Sequence, residues 1–176
     1  MQIRVNAVTI TISRESPFAL AIDALALEAE PNLRLPAPLL QYLGNDVYRE
    51  LSAYGMRSVG DAVITAAGEA PFRHLIHAVT PRWGEGAERG KLRNAILATL
   101  ELAEDNGVTS LALPPFSVGP RGFPLESCAT IMLTEIVDFT FEDLTTLKNV
   151  TLCCETDAEY NAFAAELARQ QSNLST

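Results

Sequence analysis

Residues 111–125 read LALPPFSVGPRGFPL. The opening LAL is a short apolar run of the kind shown by a strand covered on both faces. Two glycines follow, Gly119 and Gly122, and from Leu125 onward apolar residues recur at Cys128, Ile131, Ile136 and Phe139 in a helical stripe. A strand end that passes through a glycine-bearing turn into a helix can aim successive backbone N–H groups into one concavity. That concavity suits a phosphate at a helix N-terminus. The stretch contains neither G-x-G-x-x-G nor G-K-[ST], so it is neither the dinucleotide fingerprint nor the P-loop. A tight structural turn is the alternative reading of the same residues.

Outward from this stretch, strands and helices alternate. Upstream, Leu92, Ile96, Leu100 and Ala103 mark one face of a helix over residues 91–105, closed by Asn106 and Gly107. Downstream, residues 150–154 (VTLCC) form a covered strand, and residues 157–170 a helix with Tyr160, Phe163, Ala164 and Leu167 on one face. Residues 2–6 and 8–13 alternate with a period of two and suggest a sheet edge, and residues 21–27 (AIDALAL) read as a covered strand. Pro31, Pro36 and Pro38 then predict an irregular loop, residues 46–54 a short helix stopped by Gly55, and residues 61–66 and 75–79 two neighbouring strands. Residues 84–90 (GEGAERG) read as a flexible connection and residues 172–176 as a frayed end. The expected class is three-layer α/β with a mixed, partly parallel sheet, as one domain over residues 1–176. In such sheets ligands sit outside the carboxyl ends of the strands, which directs attention to the loops after Leu27 and Leu113.

Composition narrows the function. With 48% hydrophobic residues and 20% charged, the chain is neither disordered nor fibrous, and no run of about 18 apolar residues offers a membrane span. The N-terminus has no signal-peptide pattern, and the expected location is cytoplasmic. A net charge of −9 argues against a partner recognised through the phosphates of a long nucleic acid. It is compatible with one small phosphate ligand held by backbone N–H groups. Cys128, Cys153 and Cys154 are odd in number and awkwardly spaced for bridging, which points to a reducing compartment.

The wording of residues 60–79 (GDAVITAAGEAPFRHLIHAV), of the helix from Leu92 with LELAEDNGVTSLALPPFSVGPRGFPLE after it, and of VTLCCETDAEYNAFAAEL resembles the macro domain family. The resemblance runs in order and spacing from Gly60 to Leu167. It implies a mixed sheet between helices, with a cleft that in the family binds ADP-ribose or related nucleotide derivatives. Some members hydrolyse ADP-ribose esters.

On that resemblance Ser117, Gly119, Gly122 and Pro124 fall on the family's S-x-G-x-x-G-x-P phosphate loop, and Ser117, Val118, Gly119, Arg121, Gly122 and Phe123 are the expected ligand contacts. Pro120 stands where a backbone N–H normally faces the diphosphate; losing one charge-assisted hydrogen bond costs about 1.5–3 kcal/mol. Arg121 is open to two readings, a phosphate partner or a solvated side chain. Glu155 replaces an aromatic residue that often stacks on adenine in the family, and Glu15 aligns only with a gap. The N-A-A-N stretch and glycine run of active members are absent: residues 28–43 read EAEPNLRLPAPLLQYL, and Leu33, Arg34 and Leu35 should reshape that end.

The expectation is therefore a protein that binds an ADP-ribose-type nucleotide without catalysis, with no cofactor and no metal. A hydrolase using Glu28 or Glu30, and a ligand-free scaffold for protein contacts, are the alternatives. His74 and His77 lie on opposite faces of a strand, as do Cys153 and Cys154, and neither pair reads as a metal site. Cys128 has no visible partner base. Asp23 and Asp61 read as structural carboxylates.

Overall fold

The computed structural model describes residues 1–174 of the 176-residue chain. Its elements in chain order are β1 (Gln2–Val5), β2 (Val8–Ser13), β3 (Ala24–Ala29), α1 (Ala37–Leu43), α2 (Asn45–Tyr54), β4 (Ala62–Ala66), β5 (His74–Val79), α3 (Glu88–Asp105), β6 (Ser110–Leu113), α4 (Leu125–Phe139), β7 (Asn149–Cys153) and α5 (Asp157–Leu174). The strands form one sheet in the order β1-β2-β7-β6-β3-β5-β4. The five central strands are parallel to one another, and only the edge strands β1 and β4 run antiparallel to their neighbours.

Alternation along the central strands makes the layers. Ala24, Ala26, Leu111, Leu113, Val150 and Leu152 turn to one face, where they meet Leu92, Ile96 and Leu100 of α3, Met132 and Leu133 of α4, and Phe163 and Leu167 of α5. Leu25, Leu75, Ala112 and Cys153 turn to the other, against Leu43, Val47 and Leu51 of α1 and α2. Both faces are covered, which is why the parallel strands read as near-continuous apolar runs. Burying a side chain such as Phe163 contributes about 1.5–3 kcal/mol. This is the three-layer α/β architecture with a mixed sheet that the pattern predicts.

Two expectations need correction. The proline-rich stretch after β3 is not irregular throughout, because α1 starts with Pro36 as its cap and Pro38 in its first turn. The first-turn N–H groups of a helix have no intrahelical acceptor, so proline is tolerated there. Residues 172–174, expected to fray, are the end of α5; residues 175 and 176 lie outside the described residues. Elsewhere the boundaries shift by only a few residues, β3 running on to Ala29 being the shift that matters below.

Carboxylates fasten the loops. The Asp23 carboxylate accepts from the N–H of Thr109 at 2.8 Å and pairs with Arg73 at 3.5 Å, and Asp61 accepts from the N–H of Ser58. Both roles are structural, as expected. Glu104 accepts from the N–H groups of Thr145, Thr146 and Leu147, holding the segment between α4 and β7. Among the described residues, no helix is long and apolar enough to cross a membrane.

Candidate functional site

The carboxyl ends of the parallel strands all reach the same edge of the sheet, where β2, β3, β6 and β7 contribute to a cleft. A cavity of about 420 Å³ opens there. Its walls come from Arg14, Glu15, Ser16, Pro17 and Phe18 after β2, Leu25 and Leu27 of β3, Pro114 after β6, and Cys153, Cys154 and Glu155 at the end of β7. Apolar walls with a few polar groups at the margin are the usual build of a small-molecule pocket, and the volume falls within the usual range. Phe18 packs edge-on against Tyr42 at 5.6 Å and tilted against Phe72 at 5.7 Å.

The loop after β6 lies next to this cavity, with Pro114 common to both. Ser117 is fully buried in a left-handed conformation, φ 63°. Its carbonyl accepts from the N–H of Phe123 at 2.9 Å, which closes the loop on itself. Inside the closure Gly119, Pro120 and Arg121 make one helical turn ended by Gly122 at φ 77°. Gly119 and Gly122 supply the positive φ that this turn demands. Phe123 is buried, with its ring 5.0 Å from that of Trp83. Among the described residues nothing accepts from the N–H of Val118 or Gly119, whereas the N–H of Ser117 donates to the Glu28 carboxylate at 2.7 Å. The Ser117 Oγ is buried without a partner. A strained non-glycine residue carrying an orphaned hydroxyl is the kind of local cost found at binding sites.

Glu28 sits where β3, β5 and β6 end together. It accepts from the Thr80 hydroxyl as well as from Ser117, and Arg121 approaches it at 3.4 Å. Burial pushes its carboxyl above the ordinary carboxylate range, against the opposing pull of Thr80, Ser117 and Arg121. Arg121 overturns one of the two readings drawn from the sequence, that of a solvated side chain. Its side chain is only 12% exposed, so it is not solvated, and its guanidinium is already engaged. It pairs with Glu30 at 3.0 Å and donates to the carbonyls of Thr80 and Ala29. Arg82 pairs with the same oxygen of Glu30. β3 runs on to Ala29, which places Glu28 within the strand and Glu30 directly after it, within reach of the loop.

Of the residues expected to bind ligand, the fold brings Ser117, Val118, Gly119, Arg121, Gly122 and Phe123 into one turn beside the cavity. Leu33 turns into the core on the α1 and α2 face, with φ 56°, and Leu35 packs against the same cluster. Glu155 lines the cavity together with Glu15 and Phe18. The segment from Arg14 to Phe18 is the part the sequence reading missed. Its signal was the end of an alternating run at Ser13, but only the parallel pairing of β2 with β7 makes that end a site.

The other candidates are structural. His77 is buried, bonded to the Thr65 hydroxyl at 2.9 Å, and burial lowers its pKa to about 4. Cys153 and Cys154 face opposite cores, and burial pushes their thiols up to about 11 and about 12; Cys128 is raised further and donates to the Phe116 carbonyl. Among the described residues no group of three or more His, Cys, Asp or Glu is placed to hold a metal.

The chain is similar to known proteins of one family. The profile of the Macro domain matches residues 37–132. A protein of Pantoea vagans named O-acetyl-ADP-ribose deacetylase 1 is 37% identical over 107 residues, 60% of this chain and 62% of that protein. An uncharacterized protein of Sulfurisphaera tokodaii is 34% identical over 124 residues, 68% of this chain and 66% of the other. These matches span somewhat less than two thirds of either relative's length. Among solved structures, the Oceanobacillus iheyensis macrodomain with ADP superposes with a TM-score of 0.85 at 20% identity, covering 98% of this chain and 97% of that one. The Trypanosoma brucei macrodomain in complex with ADP gives 0.80 at 25% identity over 90% and 68%. A Macro domain profile that matches more than half the chain makes this protein a member of the macro domain family.

Proposed function

We propose that the chain binds ADP-ribose or a related nucleotide phosphate, with the base in the 420 Å³ cavity and the phosphate over the loop of Ser117, Val118, Gly119, Arg121, Gly122 and Phe123. The observation that carries this reading is the adjacency of an apolar cavity to a turn that keeps two backbone N–H groups unpaired. Two neighbouring free N–H groups in a tight turn hold an anion without a cationic side chain, which suits a chain of net charge −9. Glu15 and Glu155 at the cavity margin offer acceptors to an exocyclic amine. Relatives known by an ADP-ribose derivative, and a fold shared with macrodomains that bind ADP, support the ligand class.

The reading is of a binding protein rather than a catalyst. One observation favours a second reading: the relatives named as deacetylases, together with a partly buried Glu28 of raised pKa, would suit a hydrolase. Loss of turnover of O-acetyl-ADP-ribose in Glu28→Gln would support it, and no turnover in the wild type would end it. Arg121 inside the cleft also bears on a scaffold reading, against which the open cavity stands. Isothermal titration with ADP-ribose, ADP and AMP separates the binding reading from the scaffold. Binding with a dissociation constant on the order of 10 μM, abolished in Gly119→Glu, is the expected result. No heat with millimolar ligand would leave the scaffold.

A further inference from the structure

On the β5 side of the phosphate-loop candidate, side chains of the chain itself are fastened together. Along the carboxyl edge the cavity lies over β2, β7, β6 and β3, and the phosphate-loop candidate follows β6. Anything longer than a nucleotide, with its base in the cavity and its phosphate on that loop, must continue towards the end of β5. There it meets Arg121, held by Glu28 at 3.4 Å, by Glu30 at 3.0 Å and by the carbonyl of Thr80 at 3.1 Å. The obstruction is fastened twice more. Trp83 donates its N–H to the Arg121 carbonyl at 2.8 Å, and Arg82 pairs with the same Glu30 that holds Arg121.

We infer that Arg121, clamped by Glu28 and Glu30, is a specificity-determining plug that restricts the site to nucleotides ending at a phosphate and disfavours those carrying a second sugar. A second sugar would have to displace a guanidinium that is 12% exposed, leaving one half-buried and one more deeply buried carboxylate without their partner. Separating such a pair is opposed because the abandoned charges remain poorly solvated. A terminal phosphate needs no such displacement, since it ends at the N–H groups of Val118 and Gly119. This inference rests on the nucleotide-binding reading above and narrows its ligand.

The test is calorimetric titration of the full chain with AMP, ADP and ADP-ribose, in the wild type, in Arg121→Ala and in Glu28→Gln. Glu28→Gln retains an acceptor for Ser117 while removing the charge that holds Arg121, and its folding is checked by a thermal melt. The expected result is that ADP binds the wild type at least about tenfold more tightly than ADP-ribose. The ratio should fall to within about threefold in Arg121→Ala and to an intermediate value in Glu28→Gln. ADP-ribose binding the wild type as tightly as ADP, or a ratio unchanged in both folded variants, would overturn the plug and leave nucleotide binding standing. No heat from any of the three ligands in any form would overturn both.

Discussion

Ser117 and Glu28, 89 residues apart in the chain, are joined by a backbone N–H donating to a carboxylate at 2.7 Å. The contact ties the candidate phosphate loop to the end of the strand beside it, and an internal carboxylate thereby occupies one N–H of a turn that suits anions. Burial raises the Glu28 pKa, so its contribution to stability has a definite sign. A carboxyl whose folded pKa lies above its unfolded value favours folding below about 4.5 and loses that contribution as pH rises through the folded pKa. The wild type should therefore lose thermal stability relative to Glu28→Gln as pH is raised from 4 to 8. A difference in Tm that is constant over that range would show that Glu28 does not titrate in this way.

Glu104 has the opposite sign. Burial raises its pKa, but hydrogen bonds from Leu147, Thr145 and Thr146 outweigh it and bring the value to about 2. Its contribution is present above about 4.5 and is lost as pH falls towards 2. Glu104→Gln should cost about 1–2 kcal/mol at pH 7, allowing for solvent screening, or about 2–6 °C in Tm. The cost should shrink in acid. Differential scanning calorimetry from pH 3 to 7 reads both effects.

At Gly68 the packing leaves no room. A Cβ there would stand 1.9 Å from the Leu43 carbonyl oxygen at the end of α1, and the backbone is at φ 58°. Gly68→Ala should destabilise by more than about 2 kcal/mol, by clash and strain together. Gly119→Ala meets nothing within 4 Å and bears only the cost of φ 61°, so the two variants should differ clearly in urea midpoint. Equal midpoints would mean that α1 does not seat on the turn at Gly68.

The three thiols should be silent in the native protein. Cys128, Cys153 and Cys154 are buried, and burial moves each away from the thiolate that reacts. Ellman's reagent at pH 8 should label none of them within minutes and all three in guanidinium. Rapid native labelling would place at least one thiol in an accessible, activated setting.

Much of the fold was legible because local and global signals agree. The α4 stripe starts directly after Pro124, and the α2 stripe stops at Gly55, so periodicity and punctuation coincide. At α1 they conflicted, and prolines that open a helix read as loop. The phosphate-loop candidate was legible through its glycines and its wording. Its state was not, since the partner that holds Arg121 is 91 residues away and no local pattern encodes that pairing. The cavity wall from Arg14 to Phe18 was hidden for a related reason. Alternation announces a strand, but not that β2 runs parallel to β7 and therefore opens onto the binding edge.

Nucleotide binding at the carboxyl edge is tested most directly by titrating the ¹⁵N-labelled chain with ADP and following its amide resonances. The predicted result is saturable shifts at Val118 and Gly119, together with Glu15, Ser16, Phe18 and Glu155 around the cavity, and none at Glu101, Asp105 or Asp138, which line a separate groove at α3 and α4. An unchanged spectrum at millimolar ADP, or shifts confined to residues away from the cavity and the loop, would contradict it.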